Sequence, residues 1–222
     1  MKKLVLFDID GTLIDSGQAG QRAWNRVFRS EFSIRDAFHD ILMDGKTDIQ
    51  ILKEGLRAHG LQPTRALIDG IASRYLEILR AEIANPRAHV LPGVRELLDQ
   101  LAGDENYVVG LLTGNLEAGA RIKLGPFGLD RHFTLGAFGS DHENRTKLLP
   151  IVVEKFVQKT GNRVGFVDCI IVGDTPRDVA CAKPYGAQTI AVATGIYSME
   201  VLLKTGADHV LKNLCEAPAI FR

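Results

Sequence analysis

The sequence feature that most constrains the fold is an unbroken apolar run followed at once by two carboxylates. Residues 4–7 read LVLF, and the next polar or turn-forming residues are Asp8, Asp10, Gly11 and Thr12. A strand that is apolar at every position is typical of a parallel sheet covered by helices on both faces. Because Gly11 permits a bend at the strand end, both carboxylates can meet in the crevice beyond it. A divalent cation or a shared proton would offset their repulsion.

The composition is that of an ordinary globular chain and excludes several classes of function. The 222 residues are 45% hydrophobic and 24% charged, with 27 basic and 27 acidic side chains. This charge balance leaves no basic surface for nucleic acid, and the apolar runs are shorter than the roughly 20 residues that span a bilayer. The N-terminal apolar run is also too short for a signal peptide. Cys169, Cys181 and Cys215 lack metal-binding spacing, so we expect free thiols in a reducing cytoplasm.

Residues 16–85 show helical periodicity and no strand pattern. Ser16 is a plausible N-cap for a first helix, in which Trp24 belongs to an apolar stripe and is expected in the core. Further helices are predicted over residues 49–59 and 66–84. We therefore expect an all-helical insertion between the first strand and the rest of the sheet.

Strand and helix patterns alternate over residues 86–222. Helices are predicted over 94–101, 116–124, 148–159 and 176–186, and strands over 107–112, 133–138, 169–172, 188–193 and 208–211. Such alternation implies parallel pairing with right-handed crossovers. The predicted fold is α/β, with a Rossmann-like three-layer core formed by residues 1–15 and 86–222 and a helical domain over 16–85.

Polar side chains follow three of the predicted strands, and their motifs resemble a known family. The motifs are DIDGT at residues 8–12, LLTGN at 111–115 and VGDTPRD at 172–178. In this order they resemble the motifs of the haloacid dehalogenase-like hydrolase superfamily, and the helical insertion after the first motif matches a cap of that superfamily. The resemblance covers essentially the whole chain and favours the branch of phosphoglycolate phosphatases and β-phosphoglucomutases.

The resemblance implies a role for each motif residue. Asp8 would be the nucleophile that forms an aspartyl-phosphate, and Asp10 would protonate the leaving alcohol and later deprotonate water. The Thr113 hydroxyl and nearby backbone N–H groups would bind phosphoryl oxygens. The implied magnesium set is Asp8, the Asp10 carbonyl and Asp174, with Asp178 supporting the metal's waters or a basic residue. The implied substrate-binding residues of the two loops are Gly11, Thr12, Gly114 and Asn115.

The family's basic residue has two candidates. The family places a lysine, often followed by proline, before the last acidic motif, and the sequence here is ENRTKLLP. Spacing along the helix favours Lys147, whereas the position directly after the polar loop favours Arg145. We prefer Arg145 and keep both as candidates for the catalytic set. Lys183 precedes Pro184 but follows the acidic motif, so we reject it.

The implied activity is a Mg²⁺-dependent phosphatase acting on a small phosphorylated metabolite such as phosphoglycolate or a sugar phosphate. A β-phosphoglucomutase-like mutase and a non-catalytic phosphate-binding module are the alternatives, although such a module would be expected to have lost Asp8 or Asp10. Dehalogenation is disfavoured because a halide leaves without the proton that Asp10 supplies. Phosphonate hydrolysis would need a cap lysine that forms a Schiff base with an aldehyde, and Lys46 is a candidate that nothing else in the sequence supports.

The turn at Gly45 and Lys46 in the helical insertion is a predicted substrate contact. A turn can present residues to a substrate when helix faces are occupied by packing, and Lys46 could bind a second anionic group. Neither nucleic acid nor a membrane is expected as a partner. The physiological substrate and the oligomeric state do not follow from the sequence.

Overall fold

The computed structural model describes residues 2–221. The strands of this part of the chain are β1 Lys3–Phe7, β2 Ile14–Asp15, β3 His89–Val90, β4 Tyr107–Leu112, β5 Gly136–Ala137, β6 Cys169–Gly173, β7 Gln188–Val192 and β8 His209–Leu211. Its α-helices are α1 Ala19–Phe32, α2 Asp48–Ala58, α3 Arg65–Glu82, α4 Val94–Ala102, α5 Glu117–Leu124, α6 Leu148–Thr160, α7 Pro176–Ala182 and α8 Met199–Leu203. The predicted alternation of strands and helices is confirmed.

Six of the strands form a parallel sheet in the order β5-β4-β1-β6-β7-β8. The chain moves outward from β1 through β4 to β5, and it then returns to the other side of β1 with β6. Val5 of β1 pairs with Val109 of β4 on one side and with Ile170 of β6 on the other. The strand order therefore reverses between β1 and β6, and ligands bind at this point of an open α/β sheet.

The apolar run of β1 is buried on both faces of the sheet. Leu4 and Leu6 belong to a cluster with side chains of α6, such as Phe156. Val5 and Phe7 belong to a larger cluster on the opposite face, which also contains residues of α4, α5 and the helices α1–α3. All four residues have zero exposure. The continuous apolar pattern thus reflects the middle layer of a three-layer α/β/α core, and the predicted fold class is confirmed.

Helices α1, α2 and α3 form a cap over one end of the sheet. Trp24 of α1 stacks on Tyr75 of α3 with ring centroids 3.8 Å apart, and both side chains are buried, as predicted for a core tryptophan. A two-stranded antiparallel ribbon, β2 with β3, pairs Ile14 with Val90 and joins the cap to the core. This ribbon was not predicted, because two-residue strands show no periodicity.

Some predicted element ends differ from the structure. Ser16 does not cap α1; the chain first turns, with Asp15 Oδ1 accepting from the Gly17 N–H at 2.7 Å, and the helix follows Gln18. The strand predicted over 133–138 is reduced to β5, and α7 ends at Ala182 before a 3₁₀ turn. The short helix α8 was not predicted. Within residues 2–221, no helix combines the length and apolar character needed to span a membrane.

Candidate active site

Asp8 lies directly after β1 at the strand-order reversal, and its side chain is buried. Its backbone N–H donates to Val172 of β6 at 2.9 Å, which extends the ladder and holds Asp8 at the sheet edge. Burial raises the pKa of Asp8 to about 6; Arg145 opposes this shift, and Asp178 adds repulsion that increases it. The carboxylate has one cationic neighbour in direct contact.

Arg145 supplies that cationic neighbour. Its Nη2 lies 3.1 Å from Asp8 Oδ2 and also donates to Asp178 Oδ1, and the side chain is buried. Burial favours the neutral guanidine, but the two carboxylates outweigh it and raise the pKa of Arg145, so the side chain stays charged. Arg145 begins a single 3₁₀ turn, Arg145–Lys147, in which Lys147 is exposed. The structure therefore brings Arg145, and not Lys147, to the carboxylates.

Asp178 is held by its own helix start. Its Oδ2 accepts from the Thr175 N–H at 2.9 Å and from Thr175 Oγ1 at 2.7 Å. The first of these bonds and the bond from the Asp178 N–H to Thr175 Oγ1 at 3.4 Å together form a capping box for α7. The other oxygen accepts from Arg145. Both oxygens of Asp178 are thus engaged, in agreement with a role in supporting the basic residue.

Asp174 follows β6 and lies beside the loop after β1. Its Oδ1 accepts from Thr12 Oγ1 at 3.0 Å, and both side chains are buried. A Cβ atom on Gly11 would lie 2.4 Å from Asp174 Oδ2, and Gly11 has φ 76°. Only glycine allows this approach, so Gly11 and Thr12 shape the carboxylate site.

The acidic cluster fits a hard divalent cation. One carboxylate oxygen from each of Asp8, Asp174 and Asp178 lies within 4.8 Å of the others. Burial, and then repulsion from Asp178 and Asp8, raises the pKa of Asp174 well above its ordinary value. Because Asp178 is saturated by protein donors, Asp8 and Asp174 are the carboxylates available to a cation. Buried oxygen donors with excess negative charge are the ligands that Mg²⁺ prefers.

Asp10 belongs to a second polar group, which includes a lysine that sequence reasoning missed. Asp10 Oδ2 accepts from Asn115 Nδ2 at 3.0 Å and from Lys123 Nζ at 2.6 Å, and Lys123 Nζ also donates to Asn115 Oδ1 at 2.6 Å. Lys123 lies on α5 and is 4% exposed. The sequence pattern that could have identified Lys123 is its place on the apolar face of the helix, three residues after Ala120 and beside Leu124.

Thr113 and Asn115, which follow β4, lie close together at the same sheet edge. Thr113 Oγ1 accepts from Asn115 Nδ2 at 2.9 Å, and a hydrogen bond from Thr113 lowers the pKa of Asp8. The Thr113 N–H donates to Ala137 of β5 at 3.1 Å, which continues the strand ladder to the site. The three predicted strand ends are therefore brought together.

The cap contacts the core through the start of α2. The Asp48 N–H donates to the Gly114 carbonyl at 2.8 Å, and Asp48 Oδ2 accepts from the Leu116 N–H at 2.8 Å. A Cβ on Gly114 would lie 2.0 Å from the Lys46 carbonyl oxygen, so glycine is required for this approach. The Gly45 carbonyl accepts from Arg145 Nη1 at 3.4 Å. Both predicted turn residues, Gly45 and Lys46, thus lie beside the site.

Cap and core enclose a cavity of about 730 Å³. Asp8, Asp10 and Asp174 line it from the core, and Lys46 and Asp48 line it from the cap. The ammonium of Lys46 forms an ion pair with Glu54 of α2. The cavity has a size typical of small-molecule sites, with the carboxylates on one wall.

The fold and this arrangement of strand-end carboxylates define a capped α/β hydrolase of the superfamily indicated by the motifs. Residues 5–192 match the family model described as haloacid dehalogenase-like hydrolase, and the chain belongs to that family. The expected family is thereby confirmed.

Several relatives match over nearly all of the chain. A probable phosphatase, IndB, of Dickeya dadantii is 27% identical over 239 residues, covering 100% of both chains. A phosphoglycolate phosphatase of Rhodospirillum rubrum is 29% identical over 93% of this chain and 86% of its own length. The prediction of an enzyme of the phosphatase class is confirmed at this level.

Solved structures share the fold. A predicted phosphoglycolate phosphatase from Haemophilus somnus superposes with a TM-score of 0.75 at 17% identity, covering 100% of this chain and 98% of its own. CbbY from Rhodobacter sphaeroides, solved in complex with phosphate, gives a TM-score of 0.76 at 19% identity, covering 97% and 96%.

Proposed function

We propose that this protein is a Mg²⁺-dependent phosphatase that hydrolyses a small organic phosphomonoester through an aspartyl-phosphate on Asp8. The observation that carries the proposal is the buried Asp8 carboxylate, which lines the cavity, lies 3.1 Å from Arg145 and shares the cavity wall with Asp10. A buried nucleophile paired with a cation, beside a second carboxylate, suits displacement at an anionic phosphorus centre.

The proposed reaction has two steps that share the same residues. In the first, an Asp8 oxygen attacks phosphorus, the ester P–O bond breaks, and Asp10 gives its proton to the leaving alkoxide. In the second, Asp10 removes a proton from water, the water oxygen attacks phosphorus, and the bond to Asp8 breaks to release inorganic phosphate. Covalent catalysis replaces one difficult displacement by two easier ones, and the acid and the base are the same group.

The remaining polar residues would stabilise charge. Thr113 and neighbouring backbone N–H groups would bind phosphoryl oxygens, and Arg145 would neutralise the phosphate and the crowded carboxylates. Asp8, the Asp10 carbonyl and Asp174 would hold Mg²⁺, with Asp178 supporting Arg145. The cation would polarise the phosphoryl group and offset its negative charge.

The cap supplies the proposed substrate selectivity. A cavity of about 730 Å³ accommodates a small organic phosphate of the phosphoglycolate or sugar phosphate type. Lys46 is the proposed contact for a second anionic group, and it would exchange its ion pair with Glu54 for the substrate. The expected compartment is the cytoplasm, since Cys169 and Cys181 are buried free thiols.

The test is phosphate release from a panel of small phosphomonoesters, with p-nitrophenyl phosphate as a general substrate. We expect turnover with Mg²⁺, loss of turnover with EDTA, recovery when Mg²⁺ is restored, and none with Asp8→Asn. Undiminished turnover in EDTA would refute the metal dependence, and an active Asp8→Asn variant would refute the covalent step. Conversion of β-glucose 1-phosphate into another phosphate ester without phosphate release would identify a mutase instead.

A further inference from the structure

The ammonium group of Lys123 is enclosed by both the core and the cap. Lysine is almost never fully buried unless it is paired, yet Lys123 is 4% exposed. On the core side, its Nζ donates to Asp10 and Asn115, each at 2.6 Å. On the cap side, a Cβ built on Gly20 of α1 would lie 3.6 Å from the same nitrogen. The buried ammonium of Lys123 therefore interacts with two specific side chains, those of Asp10 and Asn115.

The bonds of Lys123 and Asn115 converge on a single oxygen of Asp10. Lys123 Nζ lies 2.6 Å and Asn115 Nδ2 lies 3.0 Å from Asp10 Oδ2, and the bond between Lys123 and Asn115 closes the triangle. Rotation of the Asp10 carboxylate would therefore break two hydrogen bonds, one of them from the charged ammonium of Lys123. The other oxygen, Oδ1, receives neither of these two bonds, and the Ser16 side chain supplies a further hydrogen bond to the carboxylate.

We propose that Lys123 is the positioning residue for Asp10, holding its carboxylate in the orientation that delivers the proton to the leaving group. The proposal rests on the proposed phosphatase function. A general acid must lie within hydrogen-bond reach of the atom it protonates, and a small misplacement costs a large part of its effect. Asn115 gives the second bond and is itself oriented by both Lys123 and Thr113, since its Nδ2 also donates to Thr113 Oγ1 at 2.9 Å. The lysine therefore makes one contact of Asp10 Oδ2 directly and helps to orient the residue that makes the other.

The surrounding charges agree with a role directed at Asp10. Asp48 of the cap lies near Lys123, but its Oδ2 is engaged by the Leu116 N–H at 2.8 Å. Asp8 is more closely paired with Arg145. Asp10 is thus the carboxylate to which Lys123 donates directly.

The experiment compares two leaving groups in Lys123→Met. An alkyl phosphate needs its leaving oxygen protonated, whereas a nitrophenolate hardly does. We expect kcat/KM for the alkyl phosphate to fall about tenfold or more, and that for p-nitrophenyl phosphate to change by less than about threefold. The expected loss starts below the roughly 10²–10⁴-fold contribution of a complete general acid, because Asp10 is misplaced and not removed. Lys123→Arg, which keeps the charge, should recover part of the loss.

Two further variants separate positioning from a structural effect. Lys155→Met is the matched control. Lys155 lies on α6, its Nζ is 2.7 Å from Asp141 Oδ2, and neither residue lines the cavity. Its substitution should change the turnover of neither substrate. In an Asp10→Asn background, Lys123→Met should cause no additional loss on the alkyl phosphate, because residues that act through one another are not additive. Thermal melts would verify that each variant is folded.

Three outcomes would overturn the proposal. Equal losses on both substrates in folded Lys123→Met would indicate phosphate binding or general support of the site. A further loss in the Asp10→Asn background would show that Lys123 acts independently of Asp10. If Lys123→Met did not fold, Lys123→Gln would be measured in the same way, and failure of both to fold would assign the lysine a structural role. Failure of the proposed function itself would differ, since the wild-type protein would release phosphate from neither substrate.

Discussion

Replacing Asp48 by asparagine should stabilise the protein at neutral pH and have little effect in acid. Asp48 is 6% exposed at the start of α2. Burial raises its pKa to about 6 from an ordinary value of 3.8; Lys123 and the Leu116 N–H oppose this shift, and Asp10 and Asp8 increase it. The amide oxygen of asparagine can still accept from Leu116, so the substitution removes the charge and retains the hydrogen bond.

The sign and size follow from the difference in pKa between the folded and the unfolded chain. Because the folded pKa is raised, ionisation costs stability: the penalty begins near the unfolded pKa, grows as pH rises and is complete above the folded pKa. The linkage between proton binding and folding gives a loss of unfolding free energy of about 0.5 kcal/mol at pH 4 and about 3 kcal/mol at pH 7.5. Asp48→Asn removes this penalty. In a chain of this length, 3 kcal/mol corresponds to a rise in Tm of about 6–12 °C.

The assay is thermal or denaturant unfolding of wild type and Asp48→Asn at pH 4, 5, 6 and 7.5, with the metal chelated throughout. The stability difference should increase with pH and level off above pH 6. Asp69→Asn is the matched control, since Asp69 lies on a cap helix but is exposed in an i,i+4 pair with Arg65, and its effect should not follow the same curve. A variant less stable than wild type at pH 7.5 would refute the reasoning, because the attraction of Lys123 would then outweigh the cost of burial.

Three further predictions concern the candidate site. Asp8→Asn should abolish turnover while the fold is kept. With the metal chelated it should also increase stability, because burial raises the pKa of Asp8 to about 6 and the cost of ionisation grows from the unfolded pKa of 3.8 until it is complete above pH 6. More than a few per cent residual activity, or a fall in Tm at pH 7.5, would contradict this prediction. Gly114→Ala should separate the cap from the core, since its Cβ would lie 2.0 Å from the Lys46 carbonyl oxygen. The substrate would then be positioned less well, and kcat/KM should fall about tenfold or more. Wild-type kinetics on several substrates would show that the contact is dispensable. Lys46→Ala should lower kcat/KM about tenfold for a phosphoester with a second anionic group and barely change p-nitrophenyl phosphate hydrolysis. A uniform loss on both substrates would place Lys46 in the core chemistry, and no loss on either would make it an ordinary surface residue.

The position of the site could be predicted because its residues follow strands. Asp8, Thr113 and Asp174 each come directly after an apolar run, and parallel strands end at one edge of the sheet. The choice between Arg145 and Lys147 could not be settled in this way. The two residues are separated by one position in a 3₁₀ turn, so the direction of each side chain depends on how that turn packs against α6 and α7.

Lys123 and Asp48 show a second limit of sequence reasoning. Each carries a charge on a helix, and such charges are usually solvated. Their burial results from the contact between cap and core, which involves segments about 70 residues apart in the chain. The ribbon of β2 and β3 and the short helix α8 were also missed, since elements of two and five residues are too short to show a period.

The sequence by itself determined the α/β class, the helical insertion and the acidic edge of the sheet, because each depends on local apolar periodicity or on motifs adjacent to strands. Only the tertiary structure decided which basic residue meets Asp8, which lysine binds Asp10 and how the cap contacts Gly114. These features depend on side-chain direction and on long-range burial. The physical reason is that periodicity specifies which face of an element is apolar, whereas the environment of a charged side chain is set by the elements that pack around it.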